Sequence, residues 1–493
     1  MKKIVKLSLF ALFLGLFSCD NATDIVQESE LNEENAFRTV EDLRSGLIGV
    51  YAAYAPDAGS NGTGDVLFFS DVFTDNVKRG VDSNGQGSTE YSFILQPGTQ
   101  FTNTLWSNRY AVINFANRVL RAWDRIVPEL EDEQLINEAN EIKGQLLAWR
   151  AFAHLDLLQY YTPDYSNLSS PSIIIVDFVP DLNDSFPRNT VGEVYEFINN
   201  DLIDAKEFLG DFSTLDTFTT NPSEFKYYLH SDAIDAIRTR LALVQGNYAL
   251  AETLATELLN EYQLSDVEDY FEMFNSDRIT ATELIFSLSR RQGDREVTNL
   301  WAPNGPGPEG NPFFEISDQL VNLYDDDDVR FIVTVNTVAL GDGLQLINKY
   351  PGSGDGPKIN DIKIFRSAEM LFIKAEAAAR DNRLGEAAQL IQQLRSERSL
   401  SNATADLPVY STTNQALRDI LMERRLEFAF EGHRYLDLKR LGTELGIGVE
   451  RDESDCASFS APCSLSPGDF RFTLPIPRNE ISANPGIQQN PGY

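Results

Sequence analysis

The chain has 493 residues, 41 of them basic and 75 acidic, for a net charge of −34. A field of that sign repels phosphate backbones and argues against nucleic acid as a partner. The length, with 42% hydrophobic residues, is enough for one large core or two smaller ones.

The first predicted element is a leader. Lys2, Lys3 and Lys6 precede an apolar run from Leu7 to Phe17 that ends at Ser18-Cys19, the layout of a secretory signal. The run has eleven residues, whereas a helix needs about twenty to cross a hydrocarbon core, which argues against a retained span. Leu16-Phe17-Ser18-Cys19 resembles a bacterial lipobox, although Phe17 is bulkier than the usual small residue. Residues 1–18 are therefore expected to be removed and Cys19 to carry lipid, which would hold the protein on a membrane. The alternative is an ordinary signal with an incidental cysteine. Residues 19–35 are polar and acidic and read as a tether. Beyond Cys19 no apolar stretch approaches membrane length.

Helical periodicity begins near Phe37, where Val40, Leu43, Leu47, Val50, Tyr51 and Tyr54 recur at three- and four-residue intervals. Similar faces are predicted over Leu105 to Trp123, Glu141 to Tyr161, Val191 to Leu209, Tyr227 to Gln245, Ala249 to Glu261, Phe365 to Arg380, Leu384 to Arg398 and Asn414 to Phe430. Long Gly, Pro and Asn-rich connections separate them at Asp57 to Asp65, Val77 to Ser88, Tyr161 to Pro171, Trp301 to Pro312 and Gly341 to Pro357. Loops of this length in a compact domain point to function. Short strands are predicted at Ser172 to Val179, Leu284 to Leu288, Phe331 to Val338 and Arg471 to Pro475.

Two helical regions share a spacing. Ala236, Ala242, Tyr248 and Ala251 lie at the same offsets as Phe372, Ala378, Leu384 and Ala387. Small residues at a helix crossing, with a larger one after the turn, suit a tetratricopeptide-type hairpin. The expected fold is mainly α: a tetratricopeptide-like helical-repeat scaffold with long loops and a few short strands.

Cys456 and Cys463, with six residues between them, favour a disulfide closing a small loop over a metal site. His154, His230 and His433 are scattered over separate segments and read as packed or surface helix residues, so no metal and no cofactor is expected.

The C-terminal part carries the most specific segments, ILMERRLEFAFEGHRYLDLKRLG (Ile420 to Gly442) and LPIPRNEISANPGIQQNPGY (Leu474 to Tyr493). The first is similar to the characteristic helix and exit, and the second to the chain ending, of the SusD/RagB family of outer-membrane nutrient-binding lipoproteins, which the chain therefore resembles. RSAEMLFIKAEAAAR (Arg366 to Arg380), Glu30 to Leu43, WSNRYAVINFAN (Trp106 to Asn117), LLAWRAFAHLDLLQYY (Leu146 to Tyr161) and LYDDDDVR (Leu323 to Arg330) match other parts of it. The resemblance implies one domain over 36–493, with an N-terminal part at about 36–225 and a C-terminal part at about 280–493.

Glu423, Glu427 and Glu431 fall on one helical face beside Arg424 and Arg425, so the most specific motif reads as an ion-paired helix ended at Gly432, not a catalytic constellation. Trp106, Trp123 and Trp149 sit inside helical periodicity and read as core. Trp301, at the head of WAPNGPGPEGNP, lies outside any such periodicity. Either its indole offers an exposed face to a sugar ring, or it folds back under its own loop. The resemblance favours the first, and it also implies that DVFTDNVKRG (Asp71 to Gly80) lines a ligand surface where Asp75, Asn76 and Arg79 hydrogen-bond sugar hydroxyls.

The leading expectation is a surface-exposed, lipid-anchored outer-membrane protein that captures an oligosaccharide or polysaccharide and delivers it to a SusC-type TonB-dependent transporter. Peptide capture, as in RagB-like members, is the near alternative; an acidic ligand would need a local basic patch such as Lys78-Arg79 or Arg290-Arg291. The sequence carries no phosphate loop, metal cluster or nucleophile elbow, which argues against an enzyme such as a surface glycoside hydrolase. A purely structural member of a transporter complex is the third class.

Overall fold

The computed structural model describes residues 36–58, 65–181, 184–210, 223–301, 312–341, 343–354, 359–457 and 461–493. The leader, Cys19 and the tether to residue 35 lie outside the described residues. Among the described residues the chain is mainly helical, with three two-stranded antiparallel sheets.

The first helix, α1 (Val40–Ala53), starts where Thr39 and Asp42 cap each other's backbone N–H groups, and it buries Val40, Leu43, Leu47 and Val50. A short helix α2 (Val66–Phe73) leads into strand β1 (Val77–Arg79). Two long helices follow, α3 (Gln100–Ile126) and α4 (Glu133–Tyr161). The C-terminal half of α4, from Gly144 to Tyr161, is buried on every side, so this helix runs through the middle of the molecule and not along its surface. Helix α5 (Val191–Leu209) packs along α4.

Next comes the first expected hairpin, α6 (Ser231–Val244) and α7 (Tyr248–Glu261). Strand β2 (Leu284–Leu288) and, after a long connection, β3 (Phe314–Ile316) precede β4 (Ile362–Arg366). The second hairpin is α8 (Ser367–Arg380) with α9 (Leu384–Glu397). Its turn repeats that of the first. Gly246 (φ 72°) and Asn382 (φ 60°) are left-handed, and the next residues, Asn247 and Arg383, donate back to Ala242 (2.9 Å) and Ala378 (2.8 Å). This is a Schellman-type helix end, which Gly and Asn adopt at least cost. Ala236, Ala242, Ala251, Phe372, Ala378 and Ala387 are buried, and α7 packs on α8, so the spacing shared by the two segments corresponds to two stacked hairpins.

The chain then forms α10 (Thr413–Glu427), α11 (Arg434–Leu445) and the strand pair β5 (Val449–Glu450) and β6 (Ser464–Leu465). Three strand expectations are corrected. Phe331 to Val338 spans two short helices, Val329–Thr334 and Thr337–Gly341; Arg471 to Pro475 holds a 3-10 turn; Ser172 to Val179 forms no strand, its pairing limited to backbone bonds between Asn189 and Ser172 and Ile173 beside an isolated bridge at Pro171. Ile173, Ile174, Val176, Val333, Thr334 and Val335 are nevertheless buried, and such burial rewards packing in any backbone state.

Early and late segments share one core. Phe69 and Phe73 of α2 pack edge-on to Tyr435 of α11, at 4.9 and 5.3 Å between ring centroids. Arg451 donates to the carbonyls of Val72, Phe73 and Thr74, capping the end of α2 with a buried cation. The charged stripe of α10 is also interior. Glu427 meets Arg366 (2.8 Å) and Arg398 (3.1 Å), Glu423 meets Arg330 (2.9 Å) and Arg395 (2.7 Å), and Glu431 meets Arg366 (2.8 Å) and Lys349 (2.9 Å). The helix stops at Glu427, before Gly432, because Phe430 turns left-handed (φ 65°) on the way to α11.

Candidate functional site

Strands β1 and β3 pair in register, Val77 with Ile316, Lys78 with Glu315 and Arg79 with Phe314. This ladder carries two loops: the turn that follows Arg79, and the base of the connection that precedes Phe314. Both were predicted as long functional loops, and the ladder brings them side by side. Gly80 donates to the Phe313 carbonyl (2.9 Å) and Asp82 to that of Pro312 (3.1 Å). A side chain at Gly80 would collide with the Pro312 carbonyl, so glycine is required for this approach. Val81, at the tip, is 68% exposed.

Arg79 holds the turn from below. Its guanidinium lies between the rings of Tyr91 (5.1 Å) and Phe314 (5.5 Å) and donates to Ser83 Oγ (2.9 Å) and the Gln86 carbonyl (2.8 Å). Burial lowers its pKa from the ordinary value, against the pull of Tyr91 and Glu90.

Asp75 and Asn76 were expected to meet a ligand, and here the structure corrects the expectation. Both are buried, at 3% and 0% exposure, and both are used within the protein. Arg434 donates to the two Asp75 carboxylate oxygens at 2.9 and 2.8 Å, and Arg425 donates to Asn76 Oδ1 at 2.9 Å. The Asn76 amide in turn donates to Asp71 Oδ1 at 2.6 Å. Burial pushes the Asp75 carboxyl up, but the Arg425 and Arg434 guanidiniums outweigh it and hold it at about 2. Asp71 has no guanidinium so close, and burial pushes it up to about 7 despite bonds from Asn76 and the Phe430 N–H.

Trp301 takes the folded-back alternative. It is 4% exposed, stacked on Phe68 (5.6 Å) and edge-on to Phe430 (5.3 Å). Its carbonyl accepts from the N–H groups of Phe313 (2.8 Å) and Phe314 (3.3 Å), which closes the connection at its base. Residues 302–311, the body of that loop, lie outside the described residues. Trp301, Phe68, Phe314 and Arg79 thus form a continuous run of ring contacts. The structure gathers the four predicted residues under one surface as supports of its loops.

A third segment leans on the same platform. Cys456 and Cys463 are joined by a disulfide with Cα atoms 5.3 Å apart, Tyr91 Oη donates to the Asp455 carbonyl (3.0 Å), and Gln319 donates to Asp452 (3.0 Å).

The connection from β2 also borders an open groove of about 580 Å³, lined on one side by Ile48, Tyr51 and Ala52 of α1 and on the other by Glu224, Tyr227, Tyr228, Leu288 to Arg291 and Gly293 to Arg295. Arg290 is fixed by a two-pronged pair with Asp57 (2.7 and 3.1 Å), and Tyr227 donates to Asp361 (2.6 Å). The sequence did not offer Tyr227, Tyr228 and Arg295 as candidates: the two tyrosines head a predicted helical face that in the structure begins only at Ser231, and of the arginines only the Arg290-Arg291 pair stood out.

The buried carboxylates of α10 are bound to guanidiniums, and among the described residues no group of three or more His, Cys, Asp and Glu side chains could hold a metal ion. No helix among them is long and apolar enough to cross a membrane.

Two family models match the chain. Residues 24–225 match one described as "Starch-binding associating with outer membrane", and residues 318–493 match the SusD family. A SusD-like protein of Formosa agariphila is 24% identical over 555 residues, with 100% of each chain covered. A solved SusD superfamily protein from Bacteroides thetaiotaomicron superposes with a TM-score of 0.73 at 25% identity, covering 92% of this chain and 100% of that one. A laminarin-binding SusD-like protein has the same fold, with a TM-score of 0.69 at 18% identity over 93% of this chain and 100% of its own.

Proposed function

Since the chain belongs to the SusD family, we propose that it is a non-catalytic protein that captures carbohydrate at the outer-membrane surface and hands it to a SusC-type TonB-dependent transporter. The observation that carries this reading is the pair of family matches at the two ends of the chain, one of them described as starch-binding. The fold shared with a laminarin-binding protein supports it. Anchoring rests on the leader and lipobox ending at Cys19, and the transporter on the family resemblance.

In this reading the ligand meets the loops, not the platform. The turn Gly80 to Gln86 and, in the connection that follows β2, Arg291 to Arg295 offer backbone groups and exposed side chains. Arg79 and Trp301 keep them in place, as rigid supports under adaptable loops. Asp75 and Asn76 lock the platform to α10 and α11.

Incubating the purified protein with a panel of polysaccharides tests the reading. Retention of at least one glycan with no release of shorter products is expected. Product release would replace capture with hydrolysis, and failure to retain any glycan would refute carbohydrate capture.

A further inference from the structure

The first hairpin carries a pocket that shares no residue with the β1–β3 ladder. It has a volume of about 570 Å³ and opens between the start of α6, the end of α7 and the approach to β2. Phe225 and Lys226 reach it from a 3-10 turn ahead of α6, Ser231 and Asp232 from the first turn of that helix, and Thr280 and Thr282 from the segment before β2.

Lys226 is the unusual member. It is 8% exposed, and its ammonium makes one hydrogen bond, to the Ala281 carbonyl (2.9 Å), with no described carboxylate paired to it. An ammonium carries three donors, so two are left over on the pocket side. Burial pushes it down to about 8, against the pull of Asp269. The hydroxyls of Ser231, Thr280 and Thr282 have no partner among the described residues either. Phe225 is half-buried and held edge-on by His230 (4.8 Å), whose Nε2 is bonded to the Ile285 carbonyl (3.0 Å). Asp232 accepts from the Tyr262 hydroxyl (2.8 Å), and Glu261 is exposed where it lines the pocket.

Burial lowers the His230 pKa, so among the described lining residues one cation, Lys226, stands against two carboxylates. That balance disfavours an anionic ligand. What the pocket offers is a desolvated donor, acceptors, hydroxyls and one aromatic ring, a set that suits a neutral molecule rich in hydroxyls with an apolar face. From this arrangement we infer that the pocket is a second subsite for a neutral saccharide, seated on the hairpin scaffold. Its volume is in the range of small-ligand sites. The inference rests on the carbohydrate-capture reading and adds a site to it.

Calorimetric titration of the purified protein with malto-oligosaccharides and laminarin oligosaccharides tests it. Binding of at least one is expected. Lys226→Met removes the donor, and Thr282→Tyr fills the pocket from an exposed position. Each should cost the isotherm this site: affinity falls about tenfold, or one of two binding events disappears where the loops take the same oligosaccharide. Thr253→Tyr, the same change at an exposed position of α7 outside the pocket, should leave binding unchanged, and both tyrosine variants should melt with the wild type. Equal binding by the wild type, Lys226→Met and Thr282→Tyr would overturn the inference and leave carbohydrate capture standing. So would retention of charged polymers alone from the polysaccharide panel. Binding of no saccharide at all would overturn both.

Discussion

Asp75 and Arg434 are separated by 359 positions in the chain and meet in a buried, two-pronged ion pair of 2.9 and 2.8 Å. Removing one partner of such a pair leaves the other charged and desolvated, so Asp75→Ala should cost about 3–5 kcal/mol of stability. Denaturant unfolding measures this, and a loss below about 1 kcal/mol would mean that the pair does not hold the platform. The pair also has an acid signature. Asp75 titrates at about 2 in the fold against an ordinary 3.8, so its contribution is complete above 3.8 and is lost as pH falls through about 2. Asp75→Asn should remove that part of the acid-unfolding curve.

Trp301→Ala opens a cavity beside Phe68 and Phe430 and should destabilise by about 3–5 kcal/mol, with Trp301→Phe recovering part of it. Glycan binding should weaken alongside stability, because the loop base is loosened. Binding abolished with an unchanged melting temperature would instead make Trp301 a direct ligand contact.

His154 is neutral by construction. Its Nδ1 bonds the Arg150 carbonyl (2.7 Å), its Nε2 accepts the Val176 N–H (3.3 Å), and burial pushes it down to about 3 from 6.5. A depressed pKa means that the unfolded chain takes up the proton first. The contribution is thus complete above pH 6.5 and is lost as pH falls toward 3, at about 1.4 kcal/mol per unit. Melting temperatures from pH 7 to pH 4 should fall, and His154→Gln should flatten that slope; an unchanged slope would put the acid sensitivity elsewhere.

The two hairpin turns give a matched pair. Asn382 sits left-handed where its counterpart is Gly246, so Asn382→Gly should stabilise by up to about 1 kcal/mol and Gly246→Ala should destabilise by about 1–2 kcal/mol. Thermal melting of the two variants in opposite directions is the expected result. A shift of the same sign in both would contradict the equivalence of the turns.

The helices with regular apolar spacing could be read in the sequence, because a repeating face is a local signal. Val191–Leu209 begins and ends where its pattern does. The hairpins could be read for the same reason, through Ala242 and Ala378. What stayed hidden is non-local. Helix α2 is apolar nearly all round and has no face to read, and the pairing of Lys78 with Glu315 joins residues far apart in the chain. The site shows the same division. Arg79, Asp75, Asn76 and Trp301 stand out in the sequence as polar and aromatic loop residues, but an aspartate in a loop looks alike whether it faces a sugar or Arg434. Only the fold brings Arg434 to it.

The closure of α2 by Arg425, Arg434 and Arg451 has a consequence for the order of events during synthesis. Asp75, just beyond the first aromatic helix, has no counter-charge until Arg425 and Arg434 emerge, and the end of that helix has no cap until Arg451 does, so the early segments cannot complete their packing ahead of the late ones. A chain wired in this way stays unlatched while it is being made. The segment from Arg425 to Arg451 acts as the clasp, and a polypeptide truncated before Arg434 should be recognised as unfinished by any protease that samples open chains.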